Sequence, residues 1–144
     1  MNTDGKVLHE ELTQDIIGAA FDVHNALGCG LLEKVYENAL AYELALRNHV
    51  VAPQREFRVS YRGKDVGIYF ADLVIDDKVV VEVKSASDLA DVHRAQVLNY
   101  LRISGIRVGL LLNFAKPNTQ IREVRCLNHY RICPIRVYPW SIRG

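Results

Sequence analysis

The sequence predicts an α/β domain in which a mixed central sheet is flanked by helices. Three observations carry this reading. Apolar residues recur at helical spacing through the first 48 residues. Between Phe57 and Lys84 they switch to strand-like runs. A further helical stretch then separates those strands from a continuous apolar run, Val108 to Asn113.

Leu12, Ile16, Ala19, Ala20, Val23 and Leu27 fall on one helical face, which predicts a helix over 11–27. Gly28-Cys29-Gly30 stops it, because glycine takes the left-handed conformation of a helix C-terminus at little cost. A second helix is expected over 31–48, with Leu32, Val35, Tyr36, Ala39, Leu40 and Leu44 on or near one face. Phe57 to Tyr61 alternates with period two, and Arg62-Gly63-Lys64 reads as a turn. Gly67–Ile75 and Lys78–Lys84 are two more strands, with Asp76-Asp77 between them. A third helix is expected over Leu89–Ser104, a buried strand over Val108–Asn113, and weaker strands near 121–126 and 130–138.

The 144 residues suit one domain, 1–144, and no repeat or Gly/Ser/Pro-rich linker divides them. With 49% hydrophobic and 24% charged residues, the composition is that of a folded globular chain and not a disordered one. No apolar run approaches the roughly 20 residues that cross a bilayer, so a membrane partner is not expected. Met1 to Glu11 is polar and lacks a signal-peptide core, which makes the cytoplasm the expected location. Cys29, Cys126 and Cys133 show no metal-ligand or disulfide spacing and read as small hydrophobes.

The net charge of +1 hides an asymmetry. Residues 1–101 carry 10 Lys/Arg against 16 Asp/Glu, whereas residues 102–144 carry 8 Lys/Arg against Glu123 alone. An acidic body with a basic C-terminal third suits a protein that gathers cations in one place and phosphates in another. Solvated strands with ordinary surface arginines would give the same balance.

Val79-Val80-Val81-Glu82-Val83-Lys84 is the most informative stretch. The valines make a buried strand, but they do not account for Glu82 and Lys84. Side chains two apart on a strand share a face, so these two point the same way. An isolated Glu-x-Lys is most often an ordinary ion pair. Here Asp72 lies ten residues earlier, inside another apolar strand, where aspartate is disfavoured. In a hairpin the two acids stand side by side only if Asp72 lies opposite Glu82. That register requires a three-residue loop, 76–78, or a bulge. A strict two-residue connection would turn them to opposite faces. Further on, His93, Gln96 and Tyr100 form a polar stripe on the third helix, while Val97 and Leu101 are placed to pack on the sheet. Glu33 stands beside the apolar stripe of the second helix, one turn before Tyr36.

Taken together, these residues resemble the PD-(D/E)xK nuclease superfamily, and within it the small GxxExxY family. The naming motif reads Gly30-Leu31-Leu32-Glu33-Lys34-Val35-Tyr36. Val23 to Gly28 and Leu111-Leu112-Asn113-Phe114 are also similar, and the likeness spans roughly residues 10–116. The resemblance implies a restriction-endonuclease-like αβββαβ core around a Mg²⁺ (or Mn²⁺) site. Asp72 and Glu82 correspond to its strand ligands, Glu33 to a helical acid that helps hold the metal or its waters, and Lys84 to the catalytic lysine. Gln96 and Tyr100 match a Q-x-x-x-Y signature that supports the site and contacts the nucleic-acid strand. Ala71 stands where many members have proline.

The expected activity is hydrolysis of nucleic-acid phosphodiesters, on DNA rather than RNA. The alternative is a non-catalytic module that keeps the fold and binds nucleic acid or protein, for which a degraded site would speak; every charged position is present. So short a chain has little room for a target-recognition domain, and a homodimer or larger assembly is compatible with it. His24 reads as a helix-end residue with a structural role, the alternative being a support behind the metal ligands.

Overall fold

A computed structural model describes residues 8–126. The elements run α1 (Glu10–Leu27), α2 (Glu33–Leu46), β1 (Val51–Tyr61), β2 (Lys64–Ile75), β3 (Val79–Lys84), α3 (Asp91–Ser104), β4 (Val108–Asn113) and β5 (Gln120–Arg125). The strands form one sheet in the order β1-β2-β3-β4-β5. Among the described residues only the β3–β4 pair is parallel, and α3 makes the crossover that a parallel pair requires. The strand expected over 130–138 lies outside the described residues, as does Cys133. Cys29 and Cys126 are free thiols. No described helix is long and apolar enough to cross a membrane.

The elements follow from local chemistry. Gly28, at φ 72°, closes α1 by donating its N–H to the His24 carbonyl at 2.8 Å. Helix α2 is shorter than its expected span: Leu32 is still extended, and Asn48 at φ 71° turns the chain out after Leu46. Strand β1 is longer than the alternating pattern suggests. Its first half, Val51 to Glu56, contains Pro53 and charges, which an edge strand tolerates because its outer N–H groups need no partner. The β1–β2 turn is tighter than expected, with Tyr61 opposite Lys64 and both Arg62 and Gly63 at positive φ.

Both sheet faces are covered. Ile16, Ala19 and Ala20 of α1 and Tyr36, Leu40 and Leu44 of α2 pack over Leu73, Ile75, Val79, Val81, Val83, Leu110 and Leu112. On the other face, Val97, Tyr100 and Leu101 of α3 cover Ala71, Val74, Val80, Leu111 and Val124. Burial on both faces explains why β3 and β4 read as unbroken apolar runs. Gly109 is where α3 comes closest: a Cβ there would lie 2.5 Å from Val97 Cγ1.

An ionic cluster ties α1 and α2 to the base of the sheet. Arg47 bonds Asp15 at 2.7 Å, Asp22 at 2.6 Å and Glu43 at 3.0 Å. His49 bridges Asp15 at 2.5 Å and Asp76 at 2.7 Å, and Asp76 also accepts the Val50 N–H at 2.8 Å. His49 is raised above its ordinary 6.5, first by its bond to Asp15 and then, against burial, by Asp76. Asp15 is lowered by the same histidine. For Asp76, burial works the other way, but the Val50 N–H and His49 hold it below the usual carboxylate range.

Two expectations follow. Gly109→Ala forces the stiff Val97 side chain aside and costs about 1–3 kcal/mol, read as a lower denaturation midpoint with an unchanged slope. The His49 cluster gives its full stabilisation between the two carboxylate values and 6.5. That stabilisation fades as pH rises through the raised His49 value, and also as pH falls through the lowered Asp15 and Asp76 values. The difference in Tm between wild type and His49→Gln is therefore widest near pH 5–6 and narrows on either side.

Candidate active site

The β2–β3 register is Ile75 opposite Val79, Val74 opposite Val80 and Leu73 opposite Val81. Asp76 and Asp77 form a tight left-handed turn closed by Lys78 N–H to the Ile75 carbonyl at 2.9 Å. Lys78 is the extra residue that shifts the register by one. The required odd connection is therefore present, and it brings Asp72 level with Glu82.

Regular pairing stops at Leu73 and Val81. On the other side of β2, Pro53 pairs with Leu73 and Arg55 with Ala71, but Gln54, at φ 48°, makes no ladder pair with Asp72. The freed backbone groups are satisfied by the acids themselves. Asp72 N–H donates to Glu82 Oε2 at 2.7 Å, and Val83 N–H donates to Asp72 Oδ2 at 2.9 Å. Each carboxylate thus closes the gap left by the other strand's backbone. That fixes both side chains without engaging their second oxygens strongly: Asp72 Oδ1 has only a 3.4 Å contact from Gln54, and Glu82 Oε1 has no donor among the described residues.

The electrostatics are strained. Glu82 is 2% exposed, and burial followed by the neighbouring Asp72 charge pushes its carboxyl up to about 8. Asp72 is raised too, first by burial and then by the charge of Glu37. Lys84 draws both back down, yet its ammonium forms no ion pair among the described residues.

Glu37 was not among the residues singled out from the sequence. It is 5% exposed and bonded by Gln54 at 2.7 Å and Lys34 at 3.1 Å. The sequence held a signal for it: Glu37 stands between Tyr36 and Leu40, on the buried stripe of α2, where a charge has no packing reason to be. Glu33 lies one turn earlier and accepts the Ser85 N–H at 3.1 Å, just beyond Lys84. It holds the chain at the rim of the site.

The polar stripe of α3 divides. His93 bonds back to Ala90 N–H at 3.0 Å and caps the helix. Gln96 donates to the Tyr100 hydroxyl at 3.1 Å, which in turn donates to the Phe70 carbonyl at 3.1 Å. Tyr100 is buried instead of solvated; burial and then the Glu82 charge raise its hydroxyl to about 12. From the opposite side, Asn113 uses its whole amide on Ala86 (3.0 and 2.8 Å), Ala115 (3.3 Å) and Gln120 (3.1 Å). With Phe114 N–H on the Lys84 carbonyl at 2.9 Å, it fixes the chain that leaves Lys84. His24 is bonded to the Lys116 carbonyl at 2.8 Å and stacked on Phe114.

Among the described arginines of the basic C-terminal third, Arg122 stands on β5 level with Glu82 across Leu111, and two others stand away from it. Val108 pairs with Arg125 at the end of the sheet where β3 begins, away from Lys84, so Arg107 and Arg125 stand at the far end. Lys116 is near the site but paired with Asp88 at 3.5 Å. Arg131, Arg136 and Arg143 lie outside the described residues.

Comparison with known proteins agrees with this geometry. The matching family is the PD-(D/E)XK nuclease superfamily, over residues 10–124. The chain belongs to this superfamily. Its mixed five-stranded sheet with flanking helices is the restriction-endonuclease-like fold of these nucleases. The crystal structure of SSO0001 is similar at a TM-score of 0.53 and 17% identity, covering 94% of this chain and 68% of that one, a likeness of fold alone. The comparison with curated proteins gives no match.

Superfamily membership suggests nuclease activity, a nucleic-acid substrate and use of a divalent metal. The residues fit such an ion. Among the described residues no three acidic, histidine or cysteine side chains form a closed metal cage. Mg²⁺ does not need one, since it takes one or two carboxylates and fills its shell with water and phosphate oxygens. Two fixed carboxylates with free oxygens, pressed by a third acid and short of positive charge, match that demand.

Without metal the strain opposes folding. Because the folded Glu82 value lies above its ordinary 4.5, the folded state becomes progressively less favourable as pH rises from there through about 8. Glu82→Gln, compared with wild type in chelator at pH 8–9, is expected to gain about 1–3 kcal/mol, or about 3–10 °C in Tm. The gain should shrink towards pH 5. A loss of stability at pH 9 would show that the buried carboxylate is not strained.

Proposed function

We propose that this protein is a Mg²⁺- or Mn²⁺-dependent nuclease of the GxxExxY family, acting on DNA. The observation that carries the reading is the reciprocal bonding of Asp72 and Glu82 beside Lys84, which is unpaired among the described residues. Asp72 and Glu82 would hold the metal, which when bound supplies Lewis-acid polarisation of a phosphate oxygen and a more acidic water. Glu37 and Glu33, both from α2, are the outer acids. Glu37 acts through its charge on the ligand pair. Glu33 acts through its hold on Ser85.

The chain's own contribution is positioning and charge. Lys84 leaves β3 on the same face as Glu82, with its backbone locked by Phe114 and the following residues locked by Asn113 and Glu33. Its ammonium orients the water that attacks phosphorus and stabilises the negative charge that builds on the phosphoryl oxygens as the ester oxygen departs. Gln96 and Tyr100 support the wall beside the carboxylates, Tyr100 through its bond to the Phe70 carbonyl. The cytoplasm is the proposed location.

Purified protein incubated with single- and double-stranded DNA and RNA in Mg²⁺ or Mn²⁺ tests the reading. Lys84→Ala and Asp72→Asn should each lower cleavage by at least about 100-fold. Glu37→Gln should lower metal affinity or activity by roughly 10- to 100-fold, and more than Glu33→Gln does. Equal cleavage by wild type and Lys84→Ala would remove the proposed mechanism. Nucleic-acid binding without any cleavage or metal uptake would favour the non-catalytic alternative.

A further inference from the structure

Strands β1 and β2 run well past the rest of the sheet. β3 reaches only Leu73–Ile75 of β2, so residues 56–70 pair only with each other among the described residues. They form a protruding two-stranded ribbon. An isolated ribbon is marginal in water, and its side chains would ordinarily be polar. This one carries Tyr61, Val66, Ile68, Tyr69 and Phe70, each 42–55% exposed. Charge does not explain them as a solvated surface either. Residues 55–70 hold Arg55, Arg58, Arg62 and Lys64 against Glu56 and Asp65. Two guanidiniums lie over rings of β1: Arg55, which also pairs with Asp77, at 5.3 Å from Phe57, and Arg62 at 5.8 Å from Tyr61.

The ribbon is joined to the acid pair by aromatic contact. Tyr69 meets Tyr100 edge-on at 6.1 Å and 83°, and the Tyr100 hydroxyl holds the Phe70 carbonyl. Tyr100 itself lies within electrostatic reach of Glu82 and Asp72. The half-exposed Tyr69 ring thus lies one side chain, Tyr100, away from the acid pair, with Arg58, ion-paired to Glu56 and Asp65, and Arg62 further out along the ribbon.

We propose that the β1–β2 ribbon is a base-stacking arm, with Tyr69 as its inner platform, that makes unpaired single-stranded nucleic acid the preferred substrate. Exposed rings interleaved with cations suit single strands, because every unpaired base offers a π-face while a duplex keeps its bases stacked inside. A second copy of the chain adding to the β1 edge is the competing occupant. Pro53 and the charged Arg55, Glu56 and Arg58 along that edge disfavour it. The choice of substrate rests on the nuclease reading, but the stacking arm is tested by binding alone.

The test measures fluorescence anisotropy in chelator, so that no cleavage occurs. The probes are a labelled oligothymidylate, a duplex of equal length and an abasic oligonucleotide with the same phosphates. Wild type should bind oligothymidylate more tightly than either other probe. Tyr69→Ala should weaken that binding by roughly 5- to 150-fold and leave the other two probes nearly unchanged. Tyr69→Phe should restore it, which separates stacking from loss of fold; far-UV circular dichroism checks both variants. Equal binding of abasic and base-bearing strands by wild type would overturn the arm even if Tyr69→Ala fails to fold. Tyr69→Ala binding oligothymidylate like wild type would also overturn it, as would a dimer that Tyr69→Ala dissociates with no change in strand affinity. Metal-dependent cleavage persisting alongside any of these results would leave the nuclease reading intact; absence of both cleavage and binding would remove the two together.

Discussion

At the point where β2 and β3 part company, each strand's backbone N–H is satisfied by a carboxylate from the other: Asp72 N–H by Glu82, and Val83 N–H by Asp72. Almost everything functional here depends on that exchange. A splaying pair of strands normally exposes unpaired amides, which must find water or a side chain. Here the side chains that close the gap are the two acids. Their positions are therefore set by backbone bonding and not by attraction to an ion, and the site is organised in the apo chain.

The same arrangement explains why the rest of the domain must be robust. A buried Glu82 and a half-buried Asp72, with Glu37 nearby and Lys84 unpaired among the described residues, are an electrostatic burden on the fold. Both sheet faces are packed with valine and leucine around this spot, and the Arg47–His49 cluster clamps the helices to the opposite end of the β2–β3 hairpin. A rigid apolar body holds a strained polar tip. That division of labour is what a cation-binding hydrolytic site requires, because charge stabilisation is effective only when the groups need not reorganise.

The register of the hairpin decides whether any of this exists. Asp76 and Asp77 adopt left-handed backbone, and Asp76 does so while accepting bonds from Val50 and His49. The turn residue that sets the parity is thus anchored to the ionic cluster. Mispairing by a single residue would send Asp72 and Glu82 to opposite faces of the sheet.

The sequence by itself determined the order of the elements, the two-faced burial of β3 and β4, and the roles open to Asp72, Glu82 and Lys84. These are local properties: periodicity, apolar runs and charges placed where strands disfavour them. It also showed that an odd connection was needed between the two acid-bearing strands. Tertiary structure alone decided that Glu37 of α2 presses on the acid pair while Glu33 holds Ser85. Which turn of a helix faces a strand end depends on how the helix docks, and no spacing records that. It alone turned Tyr100 inward, placed Arg107 and Arg125 at the far end of the sheet, and left residues 56–70 paired only with each other, among the described residues, beyond the end of β3. Strand length in a sequence gives no sign of where the neighbouring strand stops, and that stopping point is fixed only when the whole sheet assembles.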